Sequence, residues 1–454
     1  MRLLFLGALL ASIAPISSLE IQLNDPQSIK DAAAKTAYGS LTWYKGNETG
    51  QNPGAFPEKW WEGSALFMSL IFYQYYTGDD QYNDLITQGM QHQAGNGDYM
   101  PSNYSSYLGN DDQFFWGATA MTAAEVGFPE DDSEDAYSWL SLAQGVFNSQ
   151  IERWDTENCG GGLRWQLYPY QAGYLMKNSI SNGGLFQLAA RLARYTNNDT
   201  YADWAQTIWD WSVSSPLVNN KTWNVADSTD INDGCSTQGN NQWSYNYGTY
   251  LIGTAYMYNL TEKAEWKEAT EGLLGVLLNT FFPQNMGGGK IFSEYLCEAK
   301  ELCNFNEILF KGIVSTWLTF VALVVPETYD QIFPKLQTSA QAAALSCSGL
   351  DNNTCGVRWY ESKWDGWVGM EEQIIATDVL SSSLVSEKMN PPLTSSTGGN
   401  STSNPNAGVG DTSNTGNTPR AITAGDKAGA AIVTVVFVAL WGGMISWMIL
   451  GGDI

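Results

Sequence analysis

Apolar and polar positions in the middle of the chain recur as pairs of predicted helices, with a loose period of about 50 to 65 residues. Each unit opens with polar and aromatic residues and continues as a helix rich in small and apolar side chains. A turn containing Asp, Asn or Pro follows, and then a second, amphipathic helix. In these second helices apolar residues recur at three- and four-residue spacing, as at Trp204, Ile208 and Trp211. No sustained alternation predicts a large sheet, so the pattern favours an all-α fold.

Six first helices can be placed from the polar and aromatic clusters that precede them. They begin near residues 60–62, 111–112, 178–182, 243–247, 306–311 and 365–373. Six hairpins predict an (α/α)6 barrel, in which inner helices pack small residues near the axis and outer helices surround them. Because all inner helices would start at the same face, we expect these clusters to line one cleft.

The tryptophans fall into two groups by position. Trp204, Trp209 and Trp211 lie on a second helix, where core packing is the expected role. Five others stand beside polar residues at first-helix starts: Trp61, Trp116, Trp243, Trp364 and Trp367. Flat apolar rings suit the C–H faces of sugars, while Asn and Gln side chains bond hydroxyl groups. This second group either binds a ligand or packs in the core.

Both ends of the chain predict export and anchoring. Residues 1–18 combine a positive start at Arg2 with an apolar run and small residues, as in a secretory signal peptide. A second apolar run, 428–450, follows small residues and a polar spacer, which is the layout of a GPI-attachment signal with a removed tail. Asn414 or Gly425 is the expected attachment residue. An uncleaved tail anchor is the alternative interpretation.

Four segments are therefore expected: a signal peptide (1–18), a helical domain (19–388), a stalk (389–420) and the anchor signal (421–454). The stalk is built from Ser, Thr, Asn, Gly and Pro, which cannot bury enough apolar surface to fold, so we expect it to be flexible. Asn-x-Ser/Thr sequences fit a secreted glycoprotein. They occur at Asn47, Asn103, Asn198, Asn220, Asn259, Asn352 and Asn400.

Cysteine usage and charge narrow the class of protein. Six cysteines fit an oxidising compartment and allow fifteen pairings. Proximity favours Cys297 with Cys303 and Cys347 with Cys355, leaving Cys159 with Cys235. His92 is the only histidine and no paired CxxC occurs, so we expect neither a zinc site nor another metal or nucleotide cofactor. A net charge of −25 argues against nucleic acid or anionic lipid as partner and fits a neutral ligand.

Asp111 and Asp112 are the strongest candidates for chemistry. Two neighbouring carboxyl groups are a suitable set for breaking a sugar bond, and their proximity separates their pKa values so that one can stay protonated. Capping of a helix start is the alternative role. A Ser-His-Asp or Cys-His site would depend on His92 alone, and no GxSxG sequence is present.

Four motifs in order resemble glycoside hydrolase family 76: GNDDQFFWG (109–117), CGGGLRWQ (159–166), KNSISNGGLFQLAARLAR (177–194) and NQWSYNYG (241–248). More narrowly, the chain is similar to the fungal GPI-anchored cell-wall branch, the mannan endo-1,6-α-mannosidases, from about residue 20 to 385. The resemblance implies an (α/α)6 barrel and retaining cleavage of α-1,6-linked mannose. It also implies that Asp111 is the nucleophile and Asp112 the general acid/base.

Further residues in these motifs are candidates for sugar binding, with capping or barrel packing as the alternative. They are Asn110, Trp116, Asn178, Asn182, Gln242, Trp243 and Tyr247. The expected substrate is α-1,6-mannan or a GPI-core glycan. The same residues serve hydrolysis and transfer, and the branch favours transfer of anchored mannoproteins to wall β-glucan at the outer face of the plasma membrane. A non-catalytic glycan-binding wall protein is the third possibility; it would be indicated by loss of either acid, and both are present.

Overall fold

The structure is a computed structural model that describes residues 18–56, 59–350, 353–409 and 424–450. The chain divides into two units, one up to Gly408 and one from Val409. The predicted signal peptide, apart from Ser18, lies outside the described residues. So do Asn352 and Asn414, which were predicted to carry a glycan and an anchor.

The described part of the first unit contains twelve α-helices and one short antiparallel ladder. The helices are α1 (Pro26–Leu41), α2 (Trp60–Thr77), α3 (Asn83–His92), α4 (Asn110–Val126), α5 (Trp139–Ile151), α6 (Ser179–Thr196), α7 (Asp199–Ser214), α8 (Ser244–Thr261), α9 (Ala264–Phe281), α10 (Phe305–Val324), α11 (Tyr329–Ser346) and α12 (Met370–Ser382). Strands β1 (Met176–Asn178) and β2 (Ser228–Asp230) pair with Met176 opposite Asp230. Four 3-10 turns lie in the connections: Ile231–Asp233, Glu298–Lys300, Pro326–Thr328 and Trp359–Glu361.

The even-numbered helices form a closed ring, because α2 packs on α4, α4 on α6, and so on until α12 packs on α2. The odd-numbered helices surround this ring. The predicted (α/α)6 barrel is thus confirmed, and each expected first helix starts within a few residues of its predicted cluster. One pairing differs: the sixth inner helix, α12, is covered by the N-terminal α1 as well as α11, so the first helix of the chain completes the barrel.

Small residues let the inner helices approach closely, as their composition predicted. A Cβ added at Gly184 of α6 would lie 2.5 Å from the Phe114 ring of α4. Two inner helices are also joined by a charged pair, because Arg191 Nη2 lies 2.6 Å from Glu125 Oε2 with both side chains fully buried. Breaking a buried pair leaves one charge without compensation, so this contact fixes how α4 and α6 pack.

Three disulfides join the six cysteines in the pairing that proximity favoured: Cys159–Cys235, Cys297–Cys303 and Cys347–Cys355. The expected core tryptophans of α7 behave as predicted. Trp209 and Trp211 are buried, and Trp204 packs at the edge of the core, 6.0 Å from the Trp154 ring.

The first half of the predicted stalk is not a free segment. Residues 390–408, here called the strap, lie along the first unit and are held by hydrogen bonds. Ser401 Oγ accepts from the Leu140 N–H at 2.8 Å, and Asn148 Nδ2 donates to the carbonyl oxygens of Pro405 and Ala407 at 2.9 and 2.8 Å. The stalk prediction weighed only apolar burial, whereas polar contacts to α5 hold this segment. Residues 410–423 lie outside the described part of the chain.

One helix among the described residues is long and apolar enough to cross a membrane, namely α10, and its side chains are buried in the barrel. The second unit contains α13 (Ala424–Leu450), whose described apolar side chains, among them Ile432, Phe437 and Trp441, are exposed. The anchor signal expected in this part of the chain stays a prediction.

Candidate active site

A cleft of about 590 Å³ opens where the inner helices begin. It is lined by Lys59, Trp61, Asp111, Asp112, Phe115, Trp165, Gln166, Met176, Asn178, Asp227, Trp243, Tyr245, Asn304, Phe305, Asn306, Glu307 and Phe310. Five of the six inner helices contribute from their first turn or cap, as expected from the clusters at their starts. The aromatic and amide side chains in this set suit a neutral sugar chain.

Asp111 and Asp112 occupy the first turn of α4 and both face the cleft. The Gly109 N–H donates to Asp112 Oδ2 at 2.7 Å, so Asp112 also caps the helix. The indole Nε1–H of Trp165 donates to Asp111 Oδ2 at 2.8 Å. Capping and chemistry are therefore not alternatives here, because the helix start that needs a carboxylate also presents both carboxyl groups to the cleft.

Burial raises the pKa of both carboxyl groups. For Asp111, burial and the neighbouring Asp112 charge raise the pKa well above its usual range, and the Trp165 hydrogen bond opposes this rise. For Asp112, burial raises the pKa to about 6, against the hydrogen bond from Gly109. Two groups this close titrate as a pair, so ionisation of one carboxyl favours the protonated form of the other. One protonated and one ionised carboxyl is the combination that glycoside cleavage requires.

Two asparagines predicted to bind sugar instead hold the loop that carries Trp165. Asn110 Nδ2 donates to the carbonyl oxygen of Arg164 at 2.8 Å. Asn182 accepts from the Leu163 N–H at 2.8 Å and donates to the Leu163 carbonyl oxygen at 3.0 Å. Both side chains are buried and neither lines the cleft, so their amides position Trp165 against Asp111.

Three other predicted sugar-binding residues also lie outside the cleft. Trp116 is fully buried and stacks on Trp60 at 5.1 Å, because its position on α4 points into the barrel wall. Tyr247 is fully buried as well and accepts a hydrogen bond from Gln242 Nε2 at 3.0 Å. Of the predicted set beyond the aspartates, the structure brings Asn178 and Trp243 to the cleft.

Several cleft residues escaped the sequence interpretation. Asp227, in the loop before β2, is a further carboxyl group there, as is Glu307. Asn246 Nδ2 donates to Asp227 at 3.0 Å, and burial raises the Asp227 pKa. Tyr245 stacks on Phe310 with ring centroids 3.7 Å apart. Trp165 lies inside the motif at 159–166, so the sequence offered a signal for it. The residues around Asp227 offered none, because nothing distinguishes them from any other acidic loop.

Among the residues that line the cleft, Lys59 lies beside acidic side chains. Its Nζ lies 2.8 Å from Glu371 Oε1, 3.4 Å from Glu62 Oε1 and 3.3 Å from the centre of the Phe305 ring. Burial, followed by the Glu371 charge, raises the pKa of Glu62 to about 8. The amine is therefore fixed in place and is only partly available to a ligand.

A metal site finds little support among the described residues. Within the part of the chain that the structure describes, the one group with suitable spacing is Cys297, Cys303 and Glu307, and the two cysteines are joined in a disulfide. A disulfide sulfur is not a thiolate, which is the form of cysteine that ligates metals.

Paired carboxyl groups of raised pKa in an aromatic cleft, at the open face of a helical barrel, define an enzyme that cleaves glycosidic bonds. The chain belongs to glycosyl hydrolase family 76, whose model matches residues 28–396. The family resemblance read from the motifs is thereby confirmed.

Relatives with known names agree with this assignment. The chain is 41% identical to "Mannan endo-1,6-alpha-mannosidase DCW1" of Candida glabrata, over 97% of this chain and 99% of that protein. It is also 41% identical to the protein of that name from Saccharomyces cerevisiae, over 94% and 95% of the two chains.

Solved structures share the fold. Dfg5 from Chaetomium thermophilum, crystallised with glucosamine, superposes with a TM-score of 0.81 at 39% identity, covering 86% of this chain and 97% of that one. The α-1,6-mannanase GH76A of Salegentibacter sp. HEL1_6 gives a TM-score of 0.62 at 18% identity, covering 78% and 98%. The latter likeness concerns the barrel alone.

Proposed function

We propose that this protein is a retaining, endo-acting α-1,6-mannosidase that acts on α-1,6-mannan or a GPI-core glycan. The observation that carries the proposal is the Asp111–Asp112 pair, with its raised pKa values and its indole donor, in a cleft lined by aromatic side chains. The names of the relatives at 41% identity support the linkage and the sugar.

In the proposed mechanism Asp111 attacks the anomeric carbon while Asp112 protonates the leaving oxygen. The bond between the anomeric carbon and that oxygen breaks, and an ester to Asp111 forms. Asp112 then takes a proton from the incoming acceptor, whose oxygen displaces Asp111. Asp112 ends the cycle protonated, as it began.

The free cleft favours the opposite order of protons, since burial and the Asp112 charge raise the pKa of Asp111 further than that of Asp112. Substrate reverses this preference in our proposal. The positive charge that develops at the anomeric carbon lies next to Asp111 and stabilises its ionised form. The Trp165 indole N–H, already donating to Asp111, acts in the same direction.

Single substitutions test the pair and its roles. Wild type, Asp111→Asn and Asp112→Asn would be produced as protein ending at Gly408, which keeps the strap, and incubated with α-1,6-mannooligosaccharides. We expect shortened products from wild type, and rates at least about 10²- to 10⁴-fold lower from each variant. Glycan binding without turnover by the wild type would contradict the enzymatic role and favour a glycan-binding wall protein.

Azide separates the two roles. With an aryl α-1,6-mannobioside, azide added to Asp112→Asn is expected to give an α-glycosyl azide, because the covalent intermediate still forms on Asp111. Added to Asp111→Asn, it is expected to give the β-azide by direct displacement. The reverse pattern of anomers would exchange the two assignments.

We further propose that transfer to wall β-glucan is the physiological outcome and that a GPI lipid holds the protein at the outer face of the plasma membrane. Hydrolysis and transfer share every step up to the arrival of the acceptor, so the product depends on whether water or a glucan hydroxyl group arrives. A GPI-core glycan incubated with the enzyme and β-glucan should yield a joined product by mass spectrometry. Free mannooligosaccharides alone, in excess glucan, would refute transfer.

Release of the cell-surface protein by a phosphatidylinositol-specific phospholipase tests the anchor, and resistance would favour an uncleaved tail.

A further inference from the structure

A second cavity of about 370 Å³ lies between the outer helices α7 and α9 and shares no lining residue with the catalytic cleft. We call it the α7–α9 groove and define it by Trp209, Asp210, Asn220, Trp223, Glu265 and Glu268. Its volume falls in the lower range of small-molecule sites, about 300–1,000 Å³. Nothing in the proposed reaction uses it.

The apolar wall of the α7–α9 groove is the indole of Trp223. The ring lies across α9, since a Cβ added at Gly272 would come within 2.2 Å of the indole Nε1. The turn around Asn219 fixes this ring: its side chain accepts from the N–H groups of Lys221 and Thr222 at 3.0 Å each. Its carbonyl oxygen accepts from the Trp223 N–H at 2.7 Å. The indole therefore forms a rigid surface that remains half-buried.

The rim of the α7–α9 groove is rich in hydrogen-bond acceptors. Asp210, Glu265 and Glu268 are exposed carboxylates on the two helices. They repel anions and accept hydrogen bonds from hydroxyl groups, while the indole suits the C–H face of a pyranose ring. A neutral sugar fits both features.

Asn220, on the rim, is a candidate site for attachment of such a sugar. It begins the sequence Asn220-Lys221-Thr222, is exposed, and makes no hydrogen bond to any described residue. Two other acceptor sequences differ, because Asn259 donates to the Val324 carbonyl oxygen at 2.8 Å and Asn198 caps α7 through Thr200 N–H. The Asn220 amide is free for modification.

We infer that the α7–α9 groove is the seat of the N-linked glycan on Asn220, with its first sugars stacked on Trp223 and bonded to the carboxylate rim. A tethered ligand is present at an effective concentration in the millimolar range, so even a weak sugar–indole contact fills the groove. A free glycan of the same affinity would have to displace it. The glycan would thereby cover the exposed face between α7 and α9.

The test measures how fast peptide N-glycosidase releases each glycan from the folded, full-length chain made in a fungal secretory host. We expect site-resolved mass spectrometry to find Asn220 occupied and released about 2- to 10-fold more slowly than the glycan on the exposed Asn47, as a stacking contact of ordinary strength would give. Trp223→Gly, which removes the indole and suits the positive φ of 59° at that position, should remove the difference.

Two further variants keep the inference testable if Trp223→Gly is poorly folded. The double variant Asp210→Ala/Glu268→Ala alters only exposed helix positions and should also speed release at Asn220. Trp43→Ala, a surface tryptophan elsewhere, should leave it unchanged. An unmodified Asn220 overturns the inference. The inference is also overturned if the rate of glycan release at Asn220 is the same in wild type and in both groove variants. Binding of free mannan to the groove of the glycosylated protein would overturn it too.

Discussion

The hydrogen bond from the Trp165 indole to Asp111 allows a direct test of the proposed catalytic pair. Trp165→Phe keeps an aromatic ring against the loop and removes the donor that lies 2.8 Å from Asp111 Oδ2. A hydrogen bond to a charged group contributes about 1.5–3 kcal/mol, and 1.4 kcal/mol is a factor of ten. We therefore expect kcat/KM to fall by about 10- to 150-fold.

The pH profile gives a second readout of the same substitution. The indole lowers the pKa of Asp111, so its removal raises that pKa and moves the ionised nucleophile to higher pH. The basic limb of kcat/KM should move upward, because the free pair loses its second proton from Asp111. Trp243→Phe is the matched control, because Trp243 lines the same cleft, packs on Phe310 at 5.9 Å and should alter KM without moving the limb. A Trp165→Phe enzyme with kcat/KM within twofold of wild type and an unmoved limb would refute the proposed role.

Three further predictions follow from groups already described. Wild-type kcat/KM should rise with pH through about 6, where the doubly protonated aspartate pair loses its first proton, and fall when the second is lost; a rate that grows from pH 6 to 4 would contradict this. Arg191→Met leaves Glu125 buried and uncompensated, so urea unfolding should show a loss of about 3–5 kcal/mol, and a loss under 1 kcal/mol would mean that the pair is dispensable. Removing the Cys159–Cys235 bridge, with its sequence separation of 76, should cost about 4.5 kcal/mol by loop entropy, measured as a lower Tm.

The barrel could be predicted from the chain because its signals are local. Each inner helix starts after a polar and aromatic cluster. The residues that form this cluster, the helix cap and the following turn are close together in the sequence. The partner of α12 was not predictable in this way. It is α1, and the contact joins the two ends of the domain, so no local pattern records it.

The place of the aspartate pair in the cleft was predictable for the same local reason, and most of the other lining residues were not. Asp111 and Asp112 are neighbours in a motif, and their helix start sets them at the cleft. Whether Asn110 or Asn182 reaches a ligand depends on the side of the helix start from which the loop 163–165 approaches. The backbone of that loop forms hydrogen bonds with the amide groups of both side chains. The two asparagines therefore support the loop and do not face the cleft.

The strap shows why composition alone misplaced the end of the folded unit. Low apolar content indicates that a segment cannot form its own core. It does not indicate whether the segment binds to the surface of the folded unit. Gln144 and Asn148 on α5 offer buried amides that need partners, and Ser403, Asn404 and the backbone of 405–407 supply them. The same helix ends near Arg153, which donates to Asn110 at 2.9 Å, next to Asp111 and Asp112. A protein cut at Lys388 would leave those amides to water on the helix beside the cleft, whereas the compact unit extends to Gly408.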